Sequence, residues 1–166
     1  MSDKTYHVLF LCTGNSARSI MAEALLTMMS KGRFKGFSAG SQPGGTVNPF
    51  AVEKVRQTGY PLDNLRSKSW DEFALAGAPH MDFIVTVCDN AAGETCPLWP
   101  GHPATAHWGL EDPAAVGGTA EEKNAAFDKI FKEIVARLNT FLALPVDQLD
   151  KHAIQREIKA IGASSV

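Results

Sequence analysis

Between His7 and Ser30 the hydrophobic pattern changes period once, and the change brackets a tight turn. His7-Val-Leu-Phe-Leu-Cys12 is a short, continuous apolar run, the pattern of a strand covered on both faces, as in a parallel sheet. It ends in Thr13-Gly14-Asn15, and from Ala17 to Ser30 the spacing becomes helical, with Ile20, Ala24, Leu25 and Met28 on one face and Glu23 on another. A buried strand, a glycine-containing turn and an amphipathic helix make the start of a βα unit, which commits the chain to a layered α/β architecture.

The rest of the chain repeats that alternation. Gly36-Phe-Ser-Ala-Gly40 reads as a second strand, and Ser41 to Thr46 is a loop by its proline and glycines. Asn48-Pro49 combines an N-cap with proline at the first helical position, opening a helix that runs to Gly59 with Ala51, Val52 and Val55 inward. Ser69 is placed to cap a short helix from Trp70 to Leu75. Met81 to Cys88 is a third strand rich in β-branched and aromatic residues, and the stretch from Asp89 to Pro103 is a loop. Thr105 to His107 is a weak fourth strand. A long helix is expected from Glu121 to Leu142, with Ala125, Ile130, Ile134, Leu138 and Phe141 along one stripe and Pro145 as its stop, and a last helix from Gln148 to Ile161, capped by Asp147 and Gly162. The expected fold is therefore a three-layer α/β domain around a mainly parallel four-stranded sheet joined by right-handed crossovers. Residues 1–144 form that domain, and 145–166 read as a C-terminal helical extension without an assigned role. In such sheets the site lies at the carboxyl ends of the strands, where Cys12 and Cys88 both fall.

Composition narrows the chemistry. One domain is expected of 166 residues, 45% of them hydrophobic. Sixteen basic residues against eighteen acidic ones leave a net charge of −2 with no basic run, so neither nucleic acid nor a membrane surface is an expected partner. Trp70, Trp99 and Trp108 lack an accompanying basic stripe and read as packing anchors. The Val8 to Leu11 run is too short for the core of an export signal, and three cysteines fit a reducing, cytoplasmic setting in which thiols do chemistry rather than build scaffolds. The five histidines show neither HExxH nor zinc-finger spacing, so no metal site is expected.

The segment Cys12-Thr-Gly-Asn-Ser-Ala-Arg18-Ser19 has the form C-x5-R-S. A loop at a helix N-terminus points unpaired backbone N–H groups inward as a cradle for a tetrahedral anion. Arg18 can close it with a bidentate fork, and the same positive field, with the Ser19 hydroxyl nearby, favours thiolate at Cys12. Gly14 and Asn15 are residue types that tolerate positive φ. Thr13, Gly14, Asn15, Ser16, Ala17, Arg18 and Ser19 are thus the candidate oxyanion-binding residues. Alone, the spacing would also suit an inert strand-end thiol beside an ordinary turn; the order of strand, turn, arginine and helix argues against that.

With these residues in place, Val8-Leu-Phe-Leu-Cys-Thr-Gly-Asn-Ser-Ala-Arg-Ser-Ile-Met-Ala-Glu23 resembles the signature loop of the low-molecular-weight tyrosine phosphatase superfamily in its arsenate reductase form. Phe37-Ser-Ala-Gly40, Val47-Asn-Pro49, Ser67-Lys-Ser69, Val85-Thr-Val-Cys88 and His107-Trp-Gly-Leu-Glu-Asp-Pro113 resemble further blocks of that family in the same order. The resemblance covers Tyr6 to Leu142. It implies Cys12 as nucleophile, Arg18 as oxyanion clamp and Asp112 as the acid that protonates the departing oxygen, with Glu111 as rival acid. The histidines read as surface or core residues, with His107 set near the pocket by its closeness to the Asp112 loop. Pro113 biases Asp112 toward an extended backbone, which suits a carboxyl held out from a loop. Some arsenate reductases of this type carry an acid after the position of Ser67 that helps bind potassium; Lys68 stands there in this chain, so no potassium site is expected. Phosphatases of the family usually follow Asp-Pro with tyrosines, whereas Ala114 and Ala115 follow here.

Reduction of arsenate needs two electrons, which a pair of thiols can supply. If the first and third strands are neighbours, about 4.8 Å apart, Cys12 and Cys88 could come within disulfide range. Cys88 would then attack the sulfur of a Cys12–arsenic adduct, and Cys96 would attack Cys88 to carry the disulfide outward. The eight residues from Cys88 to Cys96 span on the order of 26 Å when extended, against about 7 Å between disulfide Cα atoms, so that segment must fold back. The expected function is arsenate reduction recycled by an external thiol system, thioredoxin or glutathione with glutaredoxin, with phosphate or sulfate as substrate mimics. A phosphatase using Cys12, Arg18 and Asp112, and an oxyanion-binding regulator without turnover, are the alternatives.

Overall fold

The computed structural model describes residues 5–75, 77–87 and 103–163. Its sheet has four strands, β1 (Tyr6–Cys12), β2 (Phe34–Gly40), β3 (Phe83–Thr86) and β4 (Ala104–His107), all parallel and ordered β2-β1-β3-β4. The chain leaves β1 toward β2 on one side and later returns to β3 on the other. The crevice where those directions part lies at the end of β1, at Cys12.

Alternation along the strands explains why their sequences are apolar throughout. Val8, Phe10 and Cys12 belong to one buried cluster and Leu9 and Leu11 to another, so both faces of β1 are covered. The larger cluster is closed by helices α1 (Arg18–Met29), α2 (Pro49–Thr58), α4 (Ala120–Leu142) and α5 (Lys151–Ala163). The smaller one joins Leu9, Leu11, Ala39 and Ile84 to Trp70, Phe73 and Met81 around the short helix α3 (Asp71–Ala74). Full burial of Leu9, Phe10 and Leu11 stabilises the fold by about 1.5–3 kcal/mol for each side chain.

Local signals behave as their chemistry requires. Asn48 caps α2 by accepting from Phe50 N, with Pro49 at the first position, Thr119 caps α4 by accepting from Glu122 N, and Ser69 Oγ accepts from Asp71 N at the start of α3. Three local expectations are corrected. Helix α1 is buried almost all round, so Glu23 is 5% exposed while Met28 is 41% exposed; the helix is enclosed by the sheet, α2 and α4 rather than lying on the surface with one wet face. Phe127, not Ala125, joins the buried stripe of α4. Helix α5 begins after Asp150, whose carboxylate accepts from Ala153 N, because Asp147 instead accepts the Tyr6 hydroxyl. No described helix is long and apolar enough to cross a membrane.

Candidate active site

Cys12 closes β1, paired in the ladder with Gly40 of β2, and is 3% exposed. The loop after it is shaped from behind by a second loop. Thr13 O accepts from Gln42 N at 2.9 Å, Gly14 O from Gly44 N at 3.2 Å and from Ser67 Oγ at 3.0 Å, and Ser16 O from Asn48 N at 2.8 Å. Tying these carbonyls outward frees the opposite side of the turn for N–H groups, the arrangement that binds an oxyanion. Close approach of β2 is needed for it: a Cβ on Gly40 would lie 2.4 Å from Thr13 O and 3.0 Å from Asn15 N.

Of the two residues expected to tolerate positive φ, Asn15 adopts it, at +47°. Gly14 does not need that freedom, since positive φ is confined elsewhere. Asn15 is fully buried and holds the loop by its side chain, donating to Ser19 Oγ and accepting from Lys68 N, both at 2.9 Å. Helix α1 then starts at Arg18 with Ala17 at its N-cap and no side-chain cap, so its first N–H groups face the same turn.

Arg18 is only 13% exposed, and its three nitrogens have different fates. Nη1 donates to Leu110 O at 3.0 Å, Nη2 lies 3.9 Å from Asp112 Oδ2, and the buried Nε has no protein partner. A buried donor left over beside the cradle is one that a bound oxyanion would satisfy. Asp112 has extended backbone, with ψ at 106°, and its Oδ1 accepts from Ala114 N at 2.9 Å, which fixes the carboxylate at the mouth with Oδ2 toward Arg18. Glu111, the rival acid, points elsewhere: it is 78% exposed and pairs with Lys129 of α4 at 3.3 Å. His107 places Nδ1 2.8 Å from Thr86 Oγ1 across the ends of β3 and β4.

Behind the loop lies a polar cluster that sequence reasoning did not assemble. Glu23 accepts from Ser38 Oγ and from the Tyr60 hydroxyl, both at 2.6 Å. The buried Lys68 Nζ donates to Arg66 O at 2.9 Å and lies 3.4 Å from Ser38 Oγ, 3.5 Å from Asn15 Oδ1 and 3.9 Å from Glu23 Oε1. Burial pulls the Lys68 pKa down while the Glu23 carboxylate holds it up. Burial, with the same carboxylate, pushes the Tyr60 hydroxyl well above its ordinary range. The Lys68 ammonium thus lies among the oxygens of Asn15, Ser38, Arg66 and Glu23 behind the loop. The one available signal was a glutamate inside the apolar run Ile20 to Leu26. Among the described residues no group of His, Cys, Asp and Glu is gathered to hold a metal ion.

The first and third strands are neighbours, with Leu11 opposite Thr86 and Val87 N bonded to Leu11 O at 2.8 Å. Cys88 and Cys96 lie outside the described residues. The sequence model of the low molecular weight phosphotyrosine protein phosphatase family matches residues 7–158. The chain belongs to this family. Within it, the similarity extends to arsenate reductases. The arsenate reductase of Bacillus subtilis (strain 168) is 41% identical over 134 residues, which are 81% of this chain and 93% of the relative. The crystal structure of arsenate reductase from Archaeoglobus fulgidus superposes with a TM-score of 0.64 at 28% identity, covering 82% of this chain and 99% of that one. A thioredoxin-dependent arsenate reductase of Corynebacterium glutamicum superposes with a TM-score of 0.60 at 25% identity, covering 85% of this chain and 62% of its own. All four strands, apart from Tyr6 at the start of β1, and the loop after Cys12 fall within the part matched by the family model.

Proposed function

We propose that this protein reduces arsenate to arsenite. The observation that carries the reading is Cys12 at the end of β1, under a loop whose carbonyls are tied away from it, with the buried Arg18 Nε left for an anion. The many arsenate reductases among its relatives support the choice of substrate.

In this reading the Cys12 thiolate attacks arsenic, forming an As–S bond, and the departing oxygen leaves as water after taking a proton from Asp112. Arg18 and the loop N–H groups hold the remaining oxygens. The Cys88 thiolate then attacks Cys12 Sγ. An S–S bond forms, the S–As bond breaks, and its electron pair stays on arsenic, which departs as arsenite. Cys96 attacks Cys88, returning Cys12 as thiolate and leaving a Cys88–Cys96 disulfide for an external dithiol to reduce. Thioredoxin is the first choice of reductant, supported by the thioredoxin-dependent relative, with glutathione and glutaredoxin as the other candidate system. Such a cycle suits a reducing, cytoplasmic compartment. In the same reading residues 1–144 carry the chemistry.

Cysteine variants test the relay step by step. Cys12→Ser abolishes arsenite release. Cys88→Ser stops release through a protein disulfide but spares hydrolysis of an aryl phosphate, which needs only Cys12, Arg18 and Asp112. Cys96→Ser completes about one turnover and stalls as a Cys12–Cys88 disulfide, identified by mass spectrometry of a digest. Sustained turnover of Cys96→Ser with thioredoxin alone would rule out the three-thiol relay.

A further inference from the structure

Helix α5 makes three separate contacts with the segment that leads into the site. Gln155 uses both ends of its amide on one residue of β4, Oε1 accepting from Thr105 N at 2.9 Å and Nε2 donating to Thr105 O. The indole of Trp108, one residue beyond β4 and 3% exposed, donates to Ile158 O at 2.9 Å. Gly162 lies so close that a Cβ there would stand 2.0 Å from His107 O. Ile158 and Ile161, at 0% and 4% exposure, bury the same helix face.

From Trp108 the chain runs directly to the mouth. Trp108 N is bonded to Thr86 O at 2.7 Å and Leu110 N to Val87 O at 3.0 Å, which continues the β3–β4 ladder past the end of the strand. Leu110 O then accepts from Arg18 Nη1, and Asp112 follows two residues later with Oδ2 3.9 Å from Nη2. Phe10 and Phe141 enclose the Trp108 ring, with centroids 6.3 and 5.8 Å away.

We propose that α5 is a positioning element for the acid: through Gln155 and Trp108 it holds the segment that ends in Asp112 so that the carboxylate stands beside Arg18 at the mouth of the site. Covering the outer edge of β4 would by itself explain an apolar helix face. It would not explain a side-chain amide that pairs like a strand peptide, nor an indole bond to the helix backbone just ahead of the acid loop. The proposal rests on Asp112 acting as the acid in arsenate reduction.

A double-mutant cycle tests it, read as single-turnover arsenite release by the unaltered protein, Gln155→Ala, Asp112→Asn and the double variant, with Trp108→Phe as a second probe that keeps the ring. Protection of Cys12 from alkylation by phosphate is measured in parallel, to report on the cradle. Gln155→Ala and Trp108→Phe are each expected to slow release roughly tenfold, short of the about hundredfold that a misplacement of about 1 Å can cost, with phosphate protection unchanged. The double variant is expected to be no slower than Asp112→Asn, because a helix that acts through the acid has nothing left to position once the acid is gone. Unchanged rates in both single variants, additive losses in the double variant, or weakened phosphate protection would each overturn the proposal. A normal rate for Asp112→Asn, or no arsenite release by the unaltered protein, would overturn the reading of the site itself and this inference with it.

Discussion

The rear and the mouth of the anion loop are built on opposite terms. At the rear, Asn15, Ser19, Glu23, Ser38, Tyr60 and Lys68 are between 0% and 8% exposed, and each makes a hydrogen bond within the cluster. At the mouth, Arg18 keeps an unpartnered Nε, Asp112 reaches it at 3.9 Å, and the Asp112 side chain is 45% exposed. The rear has a single arrangement in which its charges are compensated, so it sets the shape of the loop. In the proposed reaction the mouth takes up an oxyanion, and its groups are correspondingly less tied to the protein. Changes at the mouth should therefore appear in rate, and changes at the rear in stability.

The largest effect should come from Arg18→Lys, which keeps the charge but loses the fork and the bond to Leu110 O. Turnover should fall about 10²–10³-fold, the usual loss for one oxyanion donor, with the urea unfolding midpoint nearly unchanged. Near-normal turnover would remove Arg18 from the site. Glu23→Gln comes next and should do the reverse, since it leaves the Lys68 ammonium buried without its carboxylate. Breaking a buried pair costs about 3–5 kcal/mol, and the low end is expected here because the amide oxygen still accepts from one of the Ser38 and Tyr60 hydroxyls while the other can turn to accept from the amide nitrogen. A loss below about 1 kcal/mol in urea unfolding would show that the rear is more hydrated than its burial implies.

Asp112→Asn should lower arsenate turnover about hundredfold, within the range for general acid catalysis, while stability moves by less than about 0.5 kcal/mol, as for most exposed substitutions. A large stability change with little effect on rate would assign Asp112 to capping the turn at Ala114 rather than to proton transfer. The smallest effect belongs to Glu111→Gln. Its pairing with Lys129 is between exposed groups, where ion pairs contribute about 0–1 kcal/mol, and turnover should stay within about twofold. A hundredfold loss there would exchange the roles of the two neighbouring carboxylates.

Much of this site can be read before any coordinates are known, and the part that can is local. The switch from a strand period to a helix period around Thr13 to Ala17, the arginine six residues after Cys12 and the proline after Asp112 act within a few residues of themselves. Backbone sterics, helix geometry and capping then dictate the strand, the loop, the helix start and the extended acid position without help from distant segments. Burial on both faces places β1 inside the sheet, but that β3 is its neighbour is only a condition in the sequence and is decided by the tertiary structure.

What only the tertiary structure decided are the partners that meet across the chain. Glu23 reads as a polar position on a helix until Ser38, Tyr60 and Lys68 arrive from three other segments and make its burial tolerable. Leu110 gives no hint in sequence that its carbonyl holds Arg18, 92 positions away. The last helix looks like an addition until Gln155 and Trp108 lock it against β4. The reason is physical: periodicity and turn chemistry are properties of neighbouring residues, whereas a buried charge or an orphan carbonyl is satisfied by whichever group packing brings within about 3 Å.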